Sequence, residues 1–303
     1  MKHIMQNNIA HELEKQGLHV SEINVNSFSD KSTEISFTKD TCHGLYDCPK
    51  LVAKAVSNIT GKDFNVYDGA CSLESQNNEC SFKLVPKGNL RIAHAARQIV
   101  KEGNVITGDT VHSKMLKEGK QLLLVSDGMG SGPIAASESK HIAMLLEQLL
   151  ETGFDKDTAL KSVNAILLGK HGKDTFATID LAVIDLFSAE TDFIKVSAPA
   201  SFIKRGHKVI TLKAENPPIG IVNSYELETL SEKLQKDDYI IMLTDGVFEA
   251  VPAFNKEEWI ADRLRELDNE SPDDIVDRLL NKIIVAANGK IKDDMTVLVA
   301  YVY

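Results

Sequence analysis

Residues 120–130 read KQLLLVSDGMG, a short apolar run that ends in an acidic turn. A run of this length bounded by a turn is typical of a buried β-strand. The carboxylate of Asp127 then lies on a tight turn at one end of the sheet, where it can reach a hard divalent cation. Asp-Gly is also the most common kind of turn dipeptide. This motif alone therefore does not distinguish a metal ligand from an ordinary turn.

Three further acidic turns accompany apolar, strand-like runs. Two of them are expected to close such a run and one to precede it: Gly108-Asp109, Asp245-Gly246 at the end of YIIMLTDG, and Asp293-Asp294 before MTVLV. Carboxylates at the ends of several strands can converge on the same ions. The coincidence of four such turns favours a metal-assisted phosphatase.

Composition limits the classes of function that this chain can serve. Its 303 residues are enough for one large or two modest domains, and 43% of them are hydrophobic. The net charge of -10 and the absence of a Lys/Arg-rich stripe argue against nucleic-acid binding, which needs basic clusters. An acidic protein that handles phosphate needs positive charge from elsewhere, and bound metal ions supply it.

The sequence shows no membrane-spanning run and no secretion signal. We therefore expect the chain as given to be soluble and cytoplasmic. Its cysteines fall in one early segment: Cys42, Cys48, Cys71 and Cys80. Their spacing is too wide for a CxxC knuckle, and buried thiols, a structural zinc site and disulfides remain open for them.

Residues 1–85 are predicted to form a small α/β unit distinct from the rest of the chain. The predicted elements are a helix over 2–16, strands over 19–26 and 33–38, a helix over 49–59, and strands over 63–68 and 80–85. Pro86-Lys87-Gly88 punctuates the chain and marks the predicted domain boundary. A second domain is therefore expected over 89–303.

The order of elements in 89–303 predicts an α+β domain, because strands and helices are grouped rather than alternating. Helices are expected over 133–152 and, with Asp157 as N-cap, over 157–168. Four short strands are expected to form an antiparallel meander: 176–186, 192–197, 201–205 and 208–212. A helix-rich stretch over 256–288 precedes a closing strand over 295–303.

The acidic turns predict a two-metal centre. Asp127 is the candidate bridging carboxylate, because its two oxygens can each bind one cation. Asp245 and Asp293 would complete the sphere of one ion, and these three aspartates form the candidate catalytic set. The Gly128 carbonyl is a further candidate ligand, and Asp109 is expected to orient a metal-bound water. Ligands that are all oxygen favour Mg²⁺ or Mn²⁺, and a water between two ions would be the nucleophile.

These turns, together with SAPASFIKRG at 197–206 and Pro218-Ile219-Gly220, resemble the PP2C-type (PPM) protein phosphatases. The match is nearest to the stage II sporulation protein E branch and covers about 89–303. The resemblance implies an α-β-β-α layered sandwich with metals at one end. It assigns Asp127, Gly128, Asp245 and Asp293 as metal ligands and Asp109 as the residue that binds a metal through water. The paired cysteines of 1–85 are similar to the regulatory segment of that branch.

The resemblance also implies a biological setting. The substrate would be a phosphoserine on an anti-anti-sigma factor, whose dephosphorylation frees a sigma factor from its inhibitor. Members of this branch carry a multi-span membrane region further upstream, so the full-length protein can be membrane-tethered. Self-association into a homo-oligomer is a further expectation.

Some positions depart from the broader PP2C pattern. Met129 stands where eukaryotic members have His, and no phosphate-binding Arg is evident near Asp109, so the general acid stays unassigned. Asp294 stands where many relatives have Asn, which favours Asp293 as the ligand. Lys204 and Arg205 are interpreted as solvated surface rather than as a phosphate clamp.

Three other interpretations fit the sequence less well. A haloacid-dehalogenase-like enzyme needs a second Asp two residues after the first, where Met129 stands. A receiver-like domain needs alternating β/α order. A catalytically weak scaffold that binds sigma-factor regulators would be expected to lack one metal aspartate. Asp180 is interpreted as structural rather than as part of the site.

Overall fold

The structure is a computed structural model that describes residues 2–26, 33–41, 48–70, 79–128, 130, 132–169, 177–221, 227–268 and 270–303. The chain divides into two compact units. The first comprises residues 1–89 with 117–119, and the second comprises residues 90–116 and 120–303. None of the helices in the described ranges is long and apolar enough to cross a membrane.

The helices and strands are numbered in chain order. The helices are α1 (Lys2–Lys15), α2 (Cys48–Thr60), α3 (Pro133–Glu151), α4 (Lys156–Leu168), α5 (Asp245–Ala250), α6 (Lys256–Arg265) and α7 (Pro272–Ala286). The strands are β1 (Glu22–Val25), β2 (Ile35–Asp40), β3 (Phe64–Ala70), β4 (Glu79–Pro86), β5 (Ile92–Ile99), β6 (Asp109–Leu116), β7 (Lys120–Asp127), β8 (Ile179–Asp185), β9 (Glu190–Val196), β10 (Ser201–Arg205), β11 (Lys208–Leu212), β12 (Thr229–Lys233), β13 (Asp238–Leu243) and β14 (Met295–Val302).

The first unit is a four-stranded antiparallel sheet in the order β1-β2-β4-β3 with α1 and α2. Ile9 and Leu13 of α1 and Val52 and Val56 of α2 are buried in its core. Of the early cysteines, Cys48 and Cys80 are buried as thiols. Cys42 and Cys71 lie outside the described residues, so the role of the full cysteine set stays a prediction.

The second unit contains two five-stranded antiparallel sheets. We call the sheet with order β12-β9-β8-β7-β6 the β7 sheet, and the one with order β11-β10-β13-β14-β5 the β14 sheet. Helices α3 and α4 share a core with the β7 sheet, and α5, α6 and α7 share one with the β14 sheet. A third core joins the two sheets. These four layers confirm the predicted α-β-β-α sandwich.

Strand β7 shows why an uninterrupted apolar run decides this architecture. Successive side chains of a strand point to opposite faces of the sheet. Leu122 and Leu124 pack beneath the α3–α4 layer, whereas Leu123 and Val125 pack against the β14 sheet. Because both faces of β7 are covered, the four central positions, 122–125, are all apolar, and alternation with polar residues is lost there.

The structure corrects the predicted antiparallel meander. Strands β8 and β9 pair in the β7 sheet, whereas β10 and β11 pair in the β14 sheet. The chain crosses between the sheets after Val196, where Ser197 adopts φ of 49° and its N–H donates to the Asn216 carbonyl at 3.1 Å. The tight spacing of the four strands gave no sign of this crossing.

Two smaller predictions are also corrected. The N-cap of α4 is Asp155, whose side chain accepts from the Thr158 N–H at 2.9 Å, and not Asp157. Asp109 begins β6 instead of closing an apolar run, and Asp245 begins the short helix α5, which was not predicted.

A buried polar network lies where the two sheets meet. Lys195 Nζ contacts Asp180 Oδ2 at 2.7 Å and Ser201 Oγ at 2.8 Å, and the Ser201 hydroxyl also donates to Asp180. All three side chains are nearly or fully inaccessible to solvent, and burial lowers the pKa of Lys195. The chain crosses between the sheets just before Ser201, so this network stabilises the crossing. The interpretation of Asp180 as a structural residue agrees with these contacts.

We expect Lys195→Met to destabilise the second unit by about 3–5 kcal/mol, because it leaves the Asp180 carboxylate buried without a counterion. Urea unfolding followed by the fluorescence of Trp259, the only tryptophan of the chain, reports on this unit. The double variant Lys195→Met, Asp180→Asn removes both charges and should recover most of the loss. Equal losses in the single and double variants would contradict this assignment.

Candidate metal centre

Four elements bring the predicted aspartates to one end of the sandwich. Asp109 is the first residue of β6 and Asp127 the last of β7, and the two lie directly opposite each other in the antiparallel ladder. Asp245 begins α5, with Thr244 between it and the end of β13, and Asp293 stands two residues before β14. The β7 sheet therefore contributes two of these carboxylates and the β14 sheet the other two.

A cavity of about 340 Å³ opens at this end of the sandwich. Asp127, Asp245 and Asp293 line it together with Gly128. Asp109 does not line the cavity but lies behind it, only 5% exposed. The structure thus separates three accessible carboxylates from a fourth, buried one.

The buried carboxylate of Asp109 is held by hydroxyl groups. Its Oδ2 accepts from Thr244 Oγ1 at 3.0 Å and from Thr296 Oγ1 at 2.5 Å. Its Oδ1 has no hydrogen-bond partner among the described residues. Burial raises the pKa of Asp109, and the hydroxyl donors oppose that rise because they stabilise the ionised form.

The two threonines belong to a longer chain of hydrogen bonds. The Thr296 N–H donates to Thr244 Oγ1 at 2.8 Å, and Gln98 Nε2 donates to Thr296 Oγ1 at 3.2 Å and to the Asp109 carbonyl at 3.1 Å. This chain connects β5, β13 and β14 to the first residue of β6. Sequence reasoning missed all three residues, because their role depends on contacts between distant segments.

The carboxylates around the cavity repel one another. Burial raises the pKa of Asp127 most, and the neighbouring charges of Asp109 and Asp245 raise it further. Burial also raises the pKa of Asp245, and Asp293 adds to the rise. Like charges directly opposite each other on paired strands destabilise a sheet. A cation placed among these groups would remove this repulsion.

The donor set fits a divalent cation that prefers oxygen. No group of three His, Cys, Asp or Glu side chains in the described part of the chain is arranged to hold a metal ion as it stands. The set nevertheless offers carboxylates that raise one another's pKa and a buried Asp109 oxygen without a donor. Both features fit a bound cation, and oxygen ligands suit Mg²⁺ or Mn²⁺.

Glycine is required at position 128 because of a backbone contact. A Cβ there would lie 2.1 Å from the carbonyl oxygen of Ala135, in the first turn of α3. The Gly128 N–H also donates to the Gly108 carbonyl at 3.3 Å. The close approach of α3 therefore fixes the turn after Asp127. That the Gly128 carbonyl binds a metal stays a prediction.

Asp294 has a structural role that differs from that of Asp293. Its Oδ1 accepts from the Lys101 N–H and its Oδ2 from the Gly108 N–H, both at 2.7 Å. One carboxylate thus holds both ends of the segment 101–108, which leads into β6. Its backbone carbonyl lies 2.1 Å from the place of a Cβ on Gly246, so the turn after Asp245 also needs glycine.

Lys101 is the one basic side chain among the described residues that line the cavity. Its Nζ lies 3.6 Å from Asp293 Oδ1, and its side chain is 38% exposed. The sequence gave no reason to select it among many lysines.

Of the two residues that the sequence pattern assigns to solvated surface, Lys204 is buried and Arg205 is partly exposed. Lys204 donates to the Gly206 carbonyl at 2.6 Å, and Arg205 pairs with Asp238 at 2.7 Å. Neither lines the cavity, so neither clamps phosphate there. Met129 lies outside the described residues.

Comparisons with known proteins agree with this geometry. A family model described as "Stage II sporulation protein E (SpoIIE)" matches residues 117–303. The stage II sporulation protein E of Priestia megaterium is 35% identical over 98% of this chain and 51% of its own length. That of Bacillus subtilis (strain 168) is 32% identical over 98% of this chain and 36% of its own length. The chain thus spans about half or less of these curated relatives.

A solved structure extends the similarity to the fold. It is described as the PP2C phosphatase domain and a fragment of the regulatory domain of SpoIIE from Bacillus subtilis. It is 31% identical with a TM-score of 0.71, over 99% of this chain and 87% of that one. A chain containing the RsbU and RsbW domains of Rv1364c from Mycobacterium tuberculosis is 21% identical, with a TM-score of 0.62 over 71% of this chain and 61% of that one, and shows the same fold.

We expect Gly128→Ala to destabilise the second unit by about 1–3 kcal/mol, because the new methyl group meets the Ala135 carbonyl. Gly169→Ala is the matched control. Gly169 caps α4 at φ of -73°, and a Cβ there would have only ordinary contacts. The control should therefore be neutral or slightly stabilising. Urea unfolding followed by Trp259 fluorescence measures both, and equal midpoints for the two variants would refute the close contact.

Proposed function

The chain belongs to the stage II sporulation protein E (SpoIIE) family, and on that premise we propose that residues 89–303 hydrolyse phosphoserine on a protein with the help of divalent cations. The predicted resemblance is confirmed for the family and for the PP2C-type fold. The observation that carries the proposal is the convergence of Asp127, Asp245 and Asp293 on one cavity, with Asp109 buried behind them.

In this proposal Asp127, Asp245 and Asp293 hold the cations, together with the Gly128 carbonyl. When bound, two Mn²⁺ or Mg²⁺ ions supply positive charge for the phosphoryl group and lower the pKa of water enough for attack on phosphorus. Asp127 would be the residue shared by both ions, because it stands opposite Asp109 and lines the cavity together with Asp245 and Asp293.

Asp109 acts as a positioning residue. The Thr244 and Thr296 hydroxyls fix one of its oxygens, so the other is held in a fixed direction and could accept a hydrogen bond from a water molecule between it and the cavity. This second oxygen has no donor among the described residues. An acceptor fixed in this way orients the water without movement of the side chain.

The cavity supports direct attack by water rather than a covalent intermediate on Cys or His. Among the described lining residues there is no Cys or His, and the two hydroxyl residues, Thr178 and Ser197, have no adjacent base other than the aspartates. The rival enzyme classes also fit poorly, because all pairings between the named strands of the second unit are antiparallel. The weak-scaffold interpretation is not favoured, since all four aspartates are present.

The family suggests the substrate and the setting. A protein named phosphoserine phosphatase RsbU from Bacillus subtilis is 22% identical over 64% of this chain and 59% of its own length. We infer that the substrate here is a phosphorylated anti-anti-sigma protein in sporulation sigma-factor control. The preceding segment, 1–85, would be regulatory, the domain would act in the cytoplasm, and the full-length protein would be tethered to a membrane and could form a homo-oligomer.

We expect the chain to hydrolyse a phosphoserine-bearing anti-anti-sigma protein only when Mn²⁺ or Mg²⁺ is present. Asp127→Asn should lower kcat by roughly two orders of magnitude or more. The substitution removes an anionic ligand of the cations that would stabilise negative charge on the phosphoryl group. Release of inorganic phosphate, measured with and without a chelator, checks this.

Asp262→Asn is the matched control, because Asp262 is exposed on α6 and pairs with a neighbouring arginine on the same helix. It should retain full activity. Hydrolysis that persists in the chelator, or that is unchanged in Asp127→Asn, would refute the proposed metal centre. Tight binding of the phosphoprotein without turnover would support the scaffold instead.

A further inference from the structure

We propose that Lys101 binds the phosphoryl group of the substrate. This inference rests on the proposed function, because it assigns a substrate contact within the same cavity. It adds a residue that no sequence motif marked, on the segment 101–108 that leads into β6. The ligand class is a phosphate monoester dianion, or inorganic phosphate as the product.

The electrostatics of the cavity require a basic group. Three carboxylates line it, and the whole chain carries a net charge of -10. A phosphate dianion that enters such a site is repelled unless positive charge faces it. The cations neutralise part of this field, and Lys101 is the one basic side chain among the described lining residues. It is therefore the protein's own source of positive charge there.

The backbone of Lys101 is held in place from outside the cavity. Its N–H donates to Asp294 Oδ1 at 2.7 Å, and the N–H of Glu102 donates to the Ile291 carbonyl at 3.2 Å. Asp294 also holds Gly108, one residue before Asp109. The same buried carboxylate thus fixes the base of the lysine side chain and the entry to β6.

The side chain of Lys101 is not fixed in the same way. Its ammonium lies 3.6 Å from Asp293 Oδ1, which is longer than a hydrogen bond, and the side chain is 38% exposed. An ion pair of this kind is weak. A cation held by Asp293 would compete with Lys101 for the same oxygen, so the ammonium would become available to a phosphoryl oxygen.

Three other basic side chains of the second unit bind partners away from the cavity. Lys195 is sealed between the sheets beside Asp180, and Lys204 is buried against a backbone carbonyl. Arg205 pairs with Asp238. None of the three lines the cavity. Among these four basic residues, Lys101 alone combines a fixed backbone, a weakly held ammonium and a place in the cavity.

The test uses the full chain with Lys101→Met, Lys101→Arg and the control Lys208→Met, which removes an exposed lysine from the β10–β11 hairpin. Two quantities are measured. One is the inhibition constant of inorganic phosphate against hydrolysis of para-nitrophenyl phosphate at saturating Mn²⁺. The other is the affinity for Mn²⁺, from the electron paramagnetic resonance signal of the unbound ion.

Lys101→Met should weaken phosphate inhibition and raise KM by roughly ten- to a hundredfold, the value of one hydrogen bond to a charged group. Lys101→Arg should restore most of this, and Lys208→Met should match the unchanged chain. The affinity for Mn²⁺ should be equal or higher in Lys101→Met, because a competitor for Asp293 is removed.

Unchanged phosphate inhibition in Lys101→Met would overturn the inference. So would weaker Mn²⁺ binding that by itself accounts for the lost inhibition, because Lys101 would then only support the metal ligands. If the unchanged chain hydrolyses nothing, the proposed function fails separately. Equilibrium dialysis of radiolabelled phosphate against the Mn²⁺-loaded chain and Lys101→Met then decides the inference, which is overturned unless the variant binds less.

Discussion

Carboxylates at one end of the sandwich repel one another. The rest of the second unit must therefore be stable enough to hold them close together. Asp109 and Asp127 face each other across paired strands, and Asp245 and Asp293 approach from the other sheet. Such groups stay together only when stronger contacts hold their backbones. Two continuous sheets with buried faces provide these contacts, and the apolar runs before Asp127 and Asp245 are therefore as much a part of the site as the aspartates.

Hydrogen bonds then fix the side chains and the connecting segment at this end of the sheets. The threonine hydroxyls at 244 and 296 fix Asp109, and the two oxygens of Asp294 fix the ends of the segment 101–108. Because this segment carries Lys101 and leads into Asp109, one buried carboxylate positions both the proposed phosphate contact and the proposed water-orienting residue. Metal binding and substrate binding are thus expected to depend on a shared scaffold.

The sequence predicted what depends on local pattern. Apolar runs that end in Asp-Gly located Asp127 and Asp245, and the grouping of strands and helices predicted the layered fold. The sequence did not predict the features that depend on contacts between residues far apart in the chain. Asp294 joins residues that are 186 and 193 positions away, and Thr296 reaches Asp109 across 187 positions. The crossing after Val196 was missed for the same reason, because short strands joined by tight turns look alike whether or not they share a sheet.

Thermal unfolding tests whether a divalent cation stabilises the second unit by binding to these carboxylates. The Tm of the full chain and of Asp127→Asn is measured at neutral pH, without metal and with Mn²⁺, from Trp259 fluorescence. We predict that the two chains melt at similar temperatures without metal, because burial and the charges of Asp109 and Asp245 raise the pKa of Asp127 to about 9 and keep its side chain neutral at neutral pH. Mn²⁺ should raise the Tm of the unchanged chain far more than that of the variant. An unchanged Tm of the unchanged chain on addition of Mn²⁺, or an equal rise in the variant, would contradict this prediction.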